Sequence, residues 1–123
     1  MQEGENRKPY DLEERCFLFA RDVRVLLKTV PRTQANMVDG RQLLRASGSV
    51  GANYIEANDA ISKKDFLMRA KISRREAKES RMFLRLLDTG QTEDVAATRA
   101  ALVQESSELV SILSAIIRNS AGE

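Results

Sequence analysis

An all-α, antiparallel up-down-up-down four-helix bundle is the fold this sequence predicts, and three observations carry that expectation. Apolar residues recur at alternating three- and four-residue spacings along most of the 123-residue chain, the rhythm of one buried helix face. Two prolines and six glycines leave room for long helices. Aromatic residues make up only 5%, and the β-branched residues are scattered instead of alternating, which argues against a sheet. A chain of this length fits one domain, residues 1–123, with a modest core. Short connections make sequence neighbours antiparallel.

The first helix is expected over residues of about 10–30. Leu12, Cys16, Phe19, Val23, Leu26 and Val30 form its inner face. It stops where Val30 precedes Pro31, because proline disfavours helix in the residue before it. The second helix is expected over about 34–59. Its repeat reads Leu44, Gly48, Gly51 and Ile55, inside a run of small residues from Ala46 to Ala52. A helical glycine costs about 1 kcal/mol relative to alanine, so two of them need a compensating close contact. The small seam of the third helix, Ala70, Ser73, Ala77 and Ser80, is the expected partner. Gly48, Gly51, Asn53 and Glu56 are therefore read as a structural seam. Asn53 and Glu56 share one face and are expected to hydrogen-bond across to the third helix or to a neighbouring subunit.

The third helix is expected over about 62–88, with Ser62 as N-cap and Asp65 in its first turn. Its inner face reads Phe66, Ala70, Ser73, Ala77, Ser80, Leu84 and Leu87. Gly90 is expected as a left-handed C-cap and Thr92 as the next N-cap, followed by Glu93 and Asp94. The fourth helix, over about 92–119, buries Val95, Leu102, Ser106, Leu109, Leu113 and Ile116. Residues 1–8 and 120–123 read as frayed tails.

Composition narrows the chemistry. There is no histidine, which removes the commonest general base and the commonest metal ligand. One cysteine, Cys16, can form neither an internal disulfide nor a structural zinc site, and it fits a reducing cytosol. No glycine-rich turn precedes a Lys-Ser/Thr pair, so no phosphate loop is present. No uninterrupted apolar run is long enough for a membrane span, and the N-terminus lacks the apolar region of a signal peptide. The expectation is a cytoplasmic, non-enzymatic protein with no cofactor, no metal, no catalytic residues and no membrane partner.

The net charge is only +2, so an electrostatic partner has to be read by a local patch. The third helix supplies one. Residues 63–85 hold nine basic and three acidic side chains, a local +6. Lys64, Lys71, Arg74, Lys78, Arg81 and Arg85 follow the seam's own rhythm, displaced by about 100° of helix rotation. They are the candidate nucleic-acid contacts, a ridge that would track phosphates. The competing reading is a solvated flank whose charges pair with Glu76, Glu79, Glu105 and Glu108, and the lack of an aromatic stacking platform favours it. A scaffold that binds an acidic protein through the same stripe is the alternative function.

Ile72, Phe83 and Leu86 lie on a second apolar side of the same helix, together with Glu76 and Glu79. Apolar residues on two faces point to a subunit interface, so these five are the candidate oligomer contacts.

Several motifs resemble a known family. Arg45-Ala46-Ser47-Gly48-Ser49-Val50-Gly51-Ala52-Asn53-Tyr54-Ile55-Glu56-Ala57 is similar to the signature of the four-helix bundle proteins also called 23S ribosomal RNA intervening-sequence proteins. Ser62-Lys63-Lys64-Asp65-Phe66, Lys71 to Ser80, and Leu84-Arg85-Leu86-Leu87 resemble the third-helix pattern of one branch. The resemblance is strong from Arg41 to Leu87 and is one of pattern in the first and fourth helices. It implies a small bundle that assembles as a homopentameric ring, and no catalytic residue to carry over. It also implies kinship with the accessory proteins of diversity-generating retroelements, which are basic and bind nucleic acid, RNA or DNA, alongside a reverse transcriptase.

Overall fold

The apolar rhythm becomes four helices in the computed structural model, which describes residues 9–121, with side chains from Leu12 to Ala121. They are α1 (Pro9–Leu27), α2 (Gln34–Asn58), α3 (Lys63–Leu86) and α4 (Glu93–Ala121). Each packs on its sequence neighbours, and α1 closes the square against α4. Among the described residues the backbones of the diagonal pairs, α1 with α3 and α2 with α4, do not approach each other. The all-α four-helix bundle is thus the architecture observed. The expected tail at 1–8 lies outside the described residues, whereas residues 120 and 121 belong to α4.

The core draws on every helix: Cys16, Phe19, Val23 and Leu26 from α1, Leu43, Val50 and Tyr54 from α2, Ala77 and Leu84 from α3, and Leu102, Leu109 and Leu113 from α4. Fully burying a leucine or phenylalanine side chain contributes about 1.5–3 kcal/mol. The inner faces expected of α1, α3 and α4 are the ones observed, with Ile117 more deeply placed than Ile116.

In α2 the expectation was one residue out of register. Its buried face is Leu43, Ala46, Ser47, Val50, Tyr54 and Ala57. Ile55 is 47% exposed. Both rows share the three-four rhythm, and the row with Leu43, Val50 and Tyr54 removes far more apolar surface from water than the row with two glycines. The glycines turn toward α1 instead of α3. A Cβ at Gly51 would stand 3.1 Å from Cys16 Cβ, and one at Gly48 3.4 Å from Arg24 Nη2. Close approach is still what the glycines permit, but with a different neighbour. Gly51→Leu is expected to destabilise the fold by about 1–3 kcal/mol through overpacking against Cys16. Gly51→Ala should change stability far less, because a gain in helix propensity of about 1 kcal/mol opposes the crowding. Denaturant midpoints of the two variants check the difference.

The α2–α3 contact rests on small residues that α3 does bury: Ala70, Ser73, Ala77 and Ser80. Ser73 Oγ donates to the Val50 carbonyl at 2.7 Å. Thr33 and Ser62 cap α2 and α3, accepting from the amides of Asn36 and Asp65. Gly90 is left-handed, φ 72°, but it sits in the α3–α4 loop and does not cap α3, which ends earlier with Leu87 extended.

Two polar devices at this end of the bundle escaped the sequence reading. Buried Asn36 donates to the carbonyls of Pro31 at 2.9 Å and Asp88 at 2.8 Å, and accepts from the Asp88 amide at 2.9 Å. It ties the α1–α2 and α3–α4 loops together. Arg99 of α4 donates to the carbonyls of Leu84, Arg85 and Leu87, satisfying the C-terminal end of α3.

Candidate nucleic-acid interface

Helix α3 positions the basic residues, and its burial pattern splits them into two rows. Lys64, Lys71, Lys78 and Arg85 are exposed on the outer surface. They stand seven residues apart, about 10.5 Å along the axis at 1.5 Å per residue. Arg74 and Arg81 are half-buried against α4, where they donate to Ser114 Oγ at 3.3 Å and Ser107 Oγ at 3.1 Å. Sequence reasoning missed Arg75, which is exposed beside the outer row, and Met68 and Met82, each 48% exposed between its charges.

The acidic residues expected to neutralise this ridge are bound elsewhere. Arg15 of α1 holds Glu105 at 2.7 Å and Glu108 at 3.0 Å. Its contact with Glu105 is bidentate. Arg45 of α2 holds Glu76 at 3.2 Å and Glu79 at 2.9 Å. The Glu76 carboxylate holds the Arg45 guanidinium above its ordinary pKa range. Among the described residues Arg75 is the one basic side chain of α3 with an ion pair, to Glu76 at 3.5 Å. Of the pairings expected on a solvated flank, that of Glu76 with a basic residue of α3 is present, whereas Glu79, Glu105 and Glu108 pair with Arg45 and Arg15.

The expected oligomer contacts occupy the α2/α3 side. Leu86 is 56% exposed, Ile72 is half-buried, and Phe83 packs against the core. Glu76 is buried, and with Glu79 it is engaged by Arg45 of the same chain. Asn53 does reach α3, accepting from Arg69 at 3.1 Å. Glu56 stays exposed, lining a depression with Asp59, Asp65 and Arg69. On the opposite side, a groove of about 490 Å³ runs between α1 and α4.

No group of three or more potential metal ligands occurs among the described residues. Helix α4 is, by length and composition, apolar enough to cross a membrane, with one 18-residue window of mean hydropathy 1.4. It also carries Glu105 and Glu108 and buries Leu102, Leu109 and Leu113 in the bundle.

Cys16 is fully buried, and burial pushes its thiol up to about 12. In the unfolded chain the thiol ionises from about 9, where the folded one stays protonated. Stability from this group is complete below that lower value and is lost as pH rises toward 12. The expected slope is about 1.4 kcal/mol per pH unit in that window. Cys16→Ala should remove this thiol's contribution to the slope, which urea titrations at several alkaline pH values check.

A family model for the 23S rRNA-intervening sequence protein matches residues 9–115. The chain is also similar to a crystal structure of a protein of unknown function from the S23 ribosomal protein family of Bacteroides thetaiotaomicron. That match has 29% sequence identity and a TM-score of 0.74, and it covers 86% of this chain and 97% of the other. Comparison with curated proteins returned no match.

Proposed function

The chain belongs to the 23S rRNA-intervening sequence protein family, and from that premise we propose that it is a cytoplasmic, non-enzymatic homopentamer that binds the backbone of nucleic acid through α3. One observation carries this reading: the four glutamates that could quench the ridge are held by Arg15 and Arg45, leaving Lys64, Lys71, Lys78 and Arg85 without ion pairs among the described residues. Helix folding itself lines these cations up, and phosphate is the ligand that releases counterions when it meets them. The outer row carries no aromatic side chain, so contact is with the backbone, and base identity is not read. One ridge of this kind is weak. Several ridges on one assembly act together through avidity. The kinship with retroelement accessory proteins that the family resemblance implies favours the same reading.

The test is a titration of labelled polynucleotide against the purified protein at several salt concentrations. Log affinity should fall linearly with log salt, whatever the sequence. No binding at low salt defeats the proposal. In a pull-down from lysate, nuclease should abolish the capture of nucleic acid. A single protein that survives nuclease and high salt would instead establish the scaffold alternative.

A further inference from the structure

We propose that the outer row of α3 takes double-helical nucleic acid in preference to a single strand, and that it lies along one turn of the duplex. The inference rests on the nucleic-acid reading above and adds to it the form of the ligand. Lys64 and Arg85 stand three seven-residue steps apart on one unbroken helix, about 31.5 Å along its axis. A duplex repeats its phosphates after one turn of about 34–36 Å, a difference that the reach of a lysine and an arginine side chain covers. Between them, Lys71 and Lys78 face the phosphate walls of the grooves that one turn contains. Helix α3 has no proline or glycine to kink it, so the four cations share one rigid support. The row winds by about 20° every seven residues, which the flexible lysine stems take up.

The shape of the support selects the duplex. Helix α3 packs on α2 and α4, and the row is its outward side, so the cations crown a convex edge of the bundle. Single strands are held in charged grooves, with aromatic side chains on which successive bases stack. This edge has no such platform. Met68 and Met82 stand between the cations, while Phe66 and Phe83 are partly buried. A flexible strand also loses conformational freedom when it is drawn out along a row of fixed charges. A duplex, with a persistence length of about 150 base pairs, is already straight over this distance. Its phosphates are held in place before binding, and so are the cations that meet them.

Any polycation prefers the denser charge of a duplex, so the test separates span from charge. Fluorescence anisotropy on the full chain uses DNA hairpins with stems of about 12 and about 6 base pairs, just over and well under one turn. A single strand with as many phosphates as the longer hairpin is the third ligand. The wild type should bind the long stem about tenfold more tightly than either of the others. Lys64→Gln with Arg85→Gln should bind both stems alike, because the turn is no longer bracketed. Lys71→Gln with Lys78→Gln loses the same charge but should keep the preference for the long stem. All four side chains are exposed, so helicity should match the wild type in both variants. A wild type that binds none of the three ligands at low salt overturns the nucleic-acid reading and this inference together. The inference alone is overturned if the single strand matches the long stem, if the end pair keeps the length preference, or if the middle pair loses it.

Discussion

Lys71→Glu combined with Lys78→Glu is expected to weaken nucleic-acid binding about a hundredfold, taking about tenfold for each reversed charge. Both side chains are exposed and make no ion pair among the described residues, so helicity and assembly mass should stay as in the wild type. The salt dependence should flatten as well, because two fewer phosphates per copy are neutralised. Arg74→Ala and Arg81→Ala should act more weakly, since each guanidinium already donates to a serine of α4. Fluorescence anisotropy with one labelled duplex and one labelled single strand reads all of this. Unchanged affinity in the double reversal would remove α3 from any role in binding polyanions.

Asn36→Ala is the second large effect, a loss of about 2–4 kcal/mol of folding stability. Its amide makes three bonds to two loops distant in sequence, and truncation leaves the Pro31 carbonyl and both main-chain groups of Asp88 short of a partner. Asn36→Asp should rescue little, because a carboxylate keeps the bond from the Asp88 amide but faces two carbonyl oxygens it cannot donate to. The urea midpoint should fall for both variants at unchanged slope. A midpoint within experimental error of wild type would mean that water replaces the amide there without loss.

The helices, their order and three of the four buried faces were legible in the sequence because apolar spacing and helix breaks are local signals. The face of α2 was not, because small residues fill two adjacent rows from Ala46 to Ala52 and periodicity cannot choose between them. Only the location of Cys16 and Arg24 on α1 shows where Gly51 and Gly48 point. The ridge on α3 was legible as a row of charges, whereas the arginines of α1 and α2 that hold the neighbouring acids were not. Pairing of Glu105 with Arg15 spans 90 residues, and that of Glu76 with Arg45 spans 31. Nothing in the spacing of α3 itself announces that its acids answer to other helices. Asn36 was invisible for the same reason: a lone asparagine in the first turn of a helix gives no sign of a loop 52 residues away.

Ser73 takes its hold on α2 from the main chain of Val50, not from any side chain there. That choice of acceptor leaves the hydrogen bond itself independent of the side chain at residue 50, whose packing in the core is a separate constraint. Exposed positions of α2 can therefore change without touching this one tie to the helix that carries the cationic comb.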